Sequence, residues 1–359
     1  MAKLNMKDFL ADGAFLQTGP DMFSLMQGPF EPVHNLSDPR LTQTSLLFKT
    51  SFWSFLEHRE NIAQNSVYEP HSAHTFSREE FLGLLAAERS QKPEVRWQSA
   101  AVEEFDTQFR WSQKLFSEAN LQKTVPIICQ SALGSFTIEN KVYILQQLLK
   151  NESFGWSYGN LTEKDCWIGH TPETLLTWDG FEAQTMALAG TFPQGPHAVR
   201  DILHDSKNRR EHNYVIEDIA EKLRHTDFKM SETHALELKH LVHLKTDVRL
   251  PCDSLMYFMR LISRLHPTAA MGVFPDRIEQ LRRMSEFDLQ KKRDSFAAPF
   301  GIIGSSAAQI IVAIRNVRIQ PEALHIFSGC GVTAESIFES EVIELENKRN
   351  SVKKMMGLV

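Results

Sequence analysis

Three carboxylates and a lysine stand within eight residues near the carboxy end, in the stretch EVIELENK at 341–348. Read as a helix, Glu341, Glu344 and Lys348 fall at i, i+3 and i+7 and share one face, while Val342, Leu345 and Val352 face elsewhere. Carboxylate oxygens with no histidine or cysteine beside them suit Mg²⁺ rather than zinc. The plain alternative is a solvated face on which Glu344 and Lys348 form an i,i+4 pair contributing about 0.2–0.5 kcal/mol. A metal site needs carboxylates from elsewhere, and REHNYVIED offers Glu211, along one side of a helix with Asp218. Other candidates stand alone. Lys123 opens an apolar strand, Glu173 follows Pro172 at a strand start, and His266 sits in the small-residue loop LHPTAAMGVFP. Each of these by itself reads as an ordinary surface, strand-start or turn residue. GCGVTA, residues 329–334, mimics a dinucleotide fingerprint, but no strand is predicted after its helix to complete the βαβ unit. Its turn can still present backbone N–H groups to an anion.

A few elements must position these side chains. Two apolar runs flank Asp179-Gly180 in TLLTWDGFEAQTMAL, which suits a two-residue hairpin turn. That turn sets Trp178 opposite Phe181 and Glu173 opposite Met186, so Glu173 is predicted at the same end of the hairpin as ALAGT, residues 187–191. SKNRREHNYVIEDIAEKLRH reads as an amphipathic helix with Val215, Ile219 and Leu223 on its apolar side. Val102, Phe105, Phe109 and Phe116 mark another helix, followed by a β-branched run, KTVPIICQSAL, that predicts a strand from about Lys123. ALHIFSGCGV reads as a strand and a glycine turn, and Ser336 with Glu339 predicts a capping box for a last helix to about Leu358. Residues 1–95, rich in Phe, Pro and Gly, read as mixed strands and loops with one capping box at Ser77 and Glu80, and a soft boundary falls near Pro93.

Composition narrows the classes. The chain has 359 residues, 42% hydrophobic and 23% charged, which suits a large globular core. A net charge of −6, with no basic run longer than KNRR, argues against a nucleic-acid partner. No stretch approaches about 18 uninterrupted apolar residues, so no membrane span is predicted. The amino end lacks the apolar run of a signal peptide. Cys129, Cys166, Cys252 and Cys330 are far apart and form no CxxC pair, which fits reduced thiols in a cytoplasmic protein.

Taken in order, KTVP, TPETLL, ALAGT, SKNRREH, HLVHLKT, LHPTAAMG, VAIR, SGCGV and ESEVIELENK resemble the chorismate-binding enzyme family over about residues 95–359. LHPTAA and ELENK are most similar to the isochorismate synthases of menaquinone biosynthesis. The resemblance implies an α+β fold: large antiparallel β-sheets packed face to face, helices outside, and the active site deep between them. It implies one chorismate-binding-type domain over 1–359, with 1–95 a variable, peripheral N-terminal portion and 96–359 the catalytic core. By the same resemblance Lys123 matches the general base toward water and Glu173 the general acid. Glu211 and Glu344 match the Mg²⁺ carboxylates, with Glu341 a further carboxylate beside the metal. Arg315 and Lys348 match the cations that hold substrate carboxylates. Gly190, Thr191 and Gly331 match backbone positions lining the substrate, and His243 and His266 match pocket histidines. Ala189 stands where aminating relatives often place a nucleophilic lysine. Two departures are visible: Val273 stands where a glycine is common, and Pro299 or Phe300 replaces an aromatic near the substrate carboxylate.

The implied reaction turns chorismate into isochorismate by adding water at C2 and expelling hydroxide from C4. Hydroxide leaves only with a proton, so the acid must stay neutral near pH 7, and burying Glu173 would raise its pKa toward that state. Water needs a base, and lysine serves where burial or a neighbouring positive charge lowers its pKa. Two rivals share the resemblance: a salicylate synthase, which adds pyruvate elimination, and a catalytically silent chorismate-binding protein. An aminating enzyme is disfavoured because Lys123 and Ala189 replace its glutamine and lysine, so no glutaminase subunit is expected. The small molecule chorismate is the expected partner, and monomer is the default state.

Overall fold

The computed structural model describes residues 4–35, 45–118, 120–151, 153–239 and 241–359. Its strands are β1 (Asp12–Gln17), β2 (Met22–Pro32), β3 (Leu46–Lys49), β4 (Val67–Ser77), β5 (Lys123–Thr124), β6 (Ile127–Leu133), β7 (Trp156–Thr162), β8 (Cys166–Thr171) and β9 (Thr174–Trp178). There follow β10 (Glu182–Pro193), β11 (Lys229–Met230), β12 (His234–Glu237), β13 (Leu241–Pro251), β14 (Val273–Phe274), β15 (Pro299–Ile303), β16 (Ala308–Val312), β17 (Asn316–Gln320) and β18 (Ala323–Gly329). The helices are α1 (Met6–Ala11), α2 (Phe52–Glu57), α3 (Ile62–Ser66), α4 (Arg78–Ala86), α5 (Val102–Glu118) and α6 (Ile138–Leu149). The remaining six are α7 (Ala198–His204), α8 (Ser206–Leu223), α9 (Leu255–Leu265), α10 (Ile278–Met284), α11 (Asp288–Lys292) and α12 (Phe338–Met355). None of the described helices is long and apolar enough to cross a membrane.

Sixteen strands join one antiparallel ladder, in the order β11-β13-β10-β9-β16-β15-β3-β4-β2-β1-β7-β8-β17-β18-β6, with β12 on β13. The ladder curls so that its two halves face each other. Tyr158 of β7 packs on Phe300 of β15 with ring centroids 5.6 Å apart, and its hydroxyl donates to the Ile314 carbonyl at 3.0 Å. Further along, Phe327 of β18 shares an apolar cluster with Ala189 of β10 and Val312 of β16. Helices cover the outer faces: α8 and α9 pack into that cluster, while α4, α6 and α12 cover β8, β17 and β18. This is the α+β arrangement of facing antiparallel sheets that the resemblance implies. The amino-terminal strands are not peripheral, however. β1 to β4 occupy the middle of the strand order and link the two halves, because their edges pair with β7 on one side and β15 on the other.

Three local expectations need correction. The hairpin before β10 pairs Trp178 with Ala183, not Phe181. The Asp179 carboxylate accepts from the Phe181 N–H (3.0 Å) and the Glu182 N–H (2.8 Å), closing a four-residue loop with Gly180 at φ +95. A two-residue shift keeps every side chain on its predicted face. The run from Lys123 breaks into β5 and β6 around Pro126, which has no N–H to continue a ladder. The last helix starts at Phe338 without a capping box, since Ser336 Oγ turns back to accept from the Thr333 N–H at 3.1 Å. The box at Ser77 and Glu80 is formed as expected.

Candidate active site

Packing of α8 decides where Glu211 points. Asp205 caps the helix by accepting from the Asn208 N–H at 2.8 Å. Val215, Ile219 and Leu223 are fully buried, each burial contributing about 1.5–3 kcal/mol. Glu211 lies one turn before Val215 on that same side, so burying the apolar stripe carries its carboxylate inward. There it meets Lys123, with Nζ 3.3 Å from Glu211 Oε1. Lys123 is 1% exposed, not a strand-end surface lysine. Its strand β5 pairs with β14, Phe274 opposite Lys123 and Val273 opposite Thr124. On the other side Thr124 exchanges backbone hydrogen bonds with Val332. That brings Gly331 against the Lys123–Glu211 pair, where a Cβ would meet the ends of both side chains and displace them.

Lys123 and Glu211 form one wall of a cavity of about 700 Å³. Glu173, Ala189, Gly190, Thr191, His243, Arg315, Gly331 and Lys348 complete its predicted lining. Gly190, at φ +74, interrupts the β10–β13 register as a bulge, since Ala189 faces Leu244 while Thr191 faces His243. Its freed carbonyl lies 2.9 Å from His243 Nδ1, and Arg315 Nη2 lies 3.2 Å from His243 Nε2. That pattern assigns the proton to Nδ1 and leaves Nε2 accepting from Arg315. Burial, with Arg315 and Lys348 nearby, holds the His243 pKa well below its ordinary value, so the ring is neutral. Arg315 itself has a left-handed backbone at φ +55, and its guanidinium is pulled down to about 10 by burial against the pull of Glu344 and Glu173.

Glu173 enters from the start of β9 and is 4% exposed. Burial raises its carboxyl from 4.5 to about 7, although Lys123, Lys348 and Arg315 all favour the ionised form. Desolvation therefore wins over three cations.

The carboxylates of α12 lie behind this cavity rather than on its wall. Glu341 is fully buried together with Leu345, one turn on, so the two share a side of the helix that the sequence reading had separated. Burial first, then Glu344, raises the Glu341 pKa against the pull of Lys207, whose Nζ is 2.5 Å from Glu341 Oε1. Glu344 pairs with Lys348 at 2.7 Å, and Lys348 Nζ also donates to the Gly329 carbonyl at 2.8 Å. The expected convergence of Glu211, Glu341 and Glu344 is thus incomplete. Among the described residues no three His, Cys, Asp or Glu side chains are gathered tightly enough to hold an ion as they stand. Like charges repel, and each carboxylate closes on its own lysine. The donor set nevertheless fits a hard divalent cation. All three groups are carboxylates, Glu344 and Glu211 both act electrostatically on Glu341, and Glu341 Oε2 is buried without a hydrogen-bond partner.

His266 is placed elsewhere. Its ring sits edge-on to Phe52 (5.4 Å) and Phe55 (4.8 Å) with both nitrogens unpartnered, and Ala270 and Met271 of the same loop line the cavity instead. Pro299 and Phe300 also face away, into a separate cavity beside Tyr158, and the aromatics at the site are Phe296 and Phe327. Sequence reasoning missed Lys207 and Arg293. Lys207 stands four residues before Glu211 on α8, a spacing that could have flagged it. Arg293, on the cavity wall, carried no local signal.

The chain resembles known proteins in sequence and in fold. Residues 54–357 match the family described as chorismate binding enzyme, and the chain belongs to that family. It is 30% identical over 206 residues to a salicylate biosynthesis isochorismate synthase of Pseudomonas aeruginosa, covering 54% of this chain and 42% of the relative. It is 26% identical over 318 residues to the isochorismate synthase EntC of Escherichia coli, covering 82% and 78%. The chain spans about half the length of several curated relatives it matches, among them MenF of Pasteurella multocida at 47%. In fold it is similar to the menaquinone-specific isochorismate synthase MenF of Escherichia coli, with a TM-score of 0.80, 16% identity, and 99% and 92% of the two chains covered.

Proposed function

We propose that this protein is a Mg²⁺-dependent isochorismate synthase, isomerising chorismate by water addition at C2 and loss of the C4 hydroxyl. The observation that carries the reading is a neutral-leaning buried acid, Glu173, and a buried lysine, Lys123, on the wall of one cavity with three further cations, Arg293, Arg315 and Lys348. Lys123 Nζ, positioned by Glu211, takes the proton from the attacking water. Glu173 donates its proton to the departing C4 oxygen, which leaves as water. Arg315, steadied by His243, and Lys348 hold the substrate carboxylates. Glu211, Glu341 and Glu344 would hold the magnesium, which supplies positive charge to the substrate's ring carboxylate. The β10 bulge turns backbone at Ala189–Thr191 toward the ring. The names of the relatives support isochorismate formation, and menaquinone synthesis is the pathway proposed for the product.

Incubating the pure protein with chorismate, with and without EDTA, and analysing products by mass spectrometry tests this reading. Isochorismate that vanishes with EDTA is expected. Salicylate with pyruvate would replace the reading by a salicylate synthase, and binding without turnover would leave a silent chorismate-binding protein.

A further inference from the structure

Arg293 is a fully buried guanidinium facing no carboxylate. Burial alone pulls it down to about 9, and no acidic neighbour contributes, in contrast to Arg315. No ion pair forms to it among the described residues. An uncompensated buried charge costs several kcal/mol, so a chain without use for it gains by replacing it. Here the side chain is instead held rigidly. Nη1 donates to Gln290 Oε1 at 3.0 Å and Nε to the Phe296 carbonyl at 3.2 Å. Gln290 in turn donates to Gln108 Oε1 at 2.9 Å, so the support reaches α5. The guanidinium lies 3.5 Å from the centroid of the Phe52 ring. The turn presenting it has two left-handed non-glycine residues, Asp294 at φ +46 and Ala297 at φ +63. One group is left over: Nη2 is buried with no hydrogen-bond partner, and Arg293 lines the same cavity as Arg315 and Lys348.

From the orphaned Nη2 of a rigidly held, uncompensated guanidinium on the cavity wall, we infer that Arg293 is a further substrate anchor, donating to a carboxylate of the dianionic substrate away from the Glu344–Lys348 side. The inference rests on the chorismate reading and deepens it. Arg293 binds and orients, and moves no proton. Phe52 and Trp53, whose indole N–H donates to the Gln290 carbonyl at 2.6 Å, give the amino-terminal portion a part in shaping the site.

The test compares wild type with Arg293→Met, using chorismate and a cyclohexadiene monocarboxylate lacking the enolpyruvyl group. Calorimetry and steady-state kinetics read affinity, KM and kcat. The variant should bind chorismate roughly ten- to a hundredfold more weakly, with KM raised more than kcat is lowered, and lose the preference for the dianion. A variant with wild-type melting temperature and unchanged chorismate affinity overturns the inference. A wild type that does not bind chorismate overturns both readings. Should Arg293→Met fail to fold, a crystal structure of the wild type with chorismate decides. A carboxylate oxygen within about 3.2 Å of Nη2 supports the anchor, and any other occupant at that atom overturns it.

Discussion

Glu173 and Glu341 are both buried glutamates with raised pKa values, yet their surroundings are opposite. Three cations act on Glu173 and burial still outweighs them, so the proton is the partner its site favours. Two carboxylates and one lysine act on Glu341, and one of its oxygens has no partner at all. Its site is short of positive charge. The same side chain thus meets two opposite environments, set by whether its neighbours are cations or anions: on the cavity wall it favours a proton, and behind that wall it is left short of positive charge. Lys123 and Lys348 link the two, since each pairs with a carboxylate of the proposed metal set while acting electrostatically on Glu173.

The largest expected effect breaks the proton side. Glu173→Gln and Lys123→Ala should each lower kcat by about 10²–10⁴-fold while chorismate binding by calorimetry changes little. Near-normal turnover by either variant contradicts its assigned role. Breaking the other side should look different. Glu341→Gln or Glu211→Ala should weaken Mg²⁺ binding by tenfold or more, about 1.4 kcal/mol, read as lost thermal stabilisation by the metal. Glu173→Gln should leave that metal titration unmoved.

A pH series sharpens the contrast further. The folded-state pKa of Glu173, about 7, lies above its ordinary 4.5, so the folded chain holds this proton more tightly than the unfolded one. The associated stability is complete below about pH 4.5 and is lost as pH rises through about 7. Glu173→Gln cannot titrate, so its stability relative to wild type should rise over that window by up to about 3 kcal/mol in denaturant unfolding. The rate of wild type should fall over the same rise in pH, because the acid loses its proton. The smallest effect is a control away from the cavity: Asp179→Ala should loosen the hairpin loop, read as a small drop in melting temperature, and leave kcat unchanged.

What was legible in the sequence follows from range. The stripe Val215, Ile219, Leu223 and the box at Ser77 and Glu80 are local patterns, and both formed as read. Most of the cavity lining was reached through motif order, and the burial of Glu173 with its pKa near 7 follows the predicted chemistry. The hairpin register was missed by two residues because it depends on the Asp179 side chain capping two N–H groups, a choice dipeptide preference does not encode. His266 was misplaced because its loop lines the cavity with Ala270 and Met271 while the imidazole turns into an aromatic cage. Arg293 and the central position of β1–β4 were out of reach, since both depend on partners far along the chain.

The most direct measurement is a chorismate turnover in oxygen-18 water, followed by mass spectrometry of the product. Base-assisted attack by water with acid-assisted loss of the C4 hydroxyl predicts isochorismate carrying one solvent oxygen, at C2. Isochorismate with no solvent oxygen at C2 would mean an internal hydroxyl transfer and would contradict the roles given to Lys123 and Glu173.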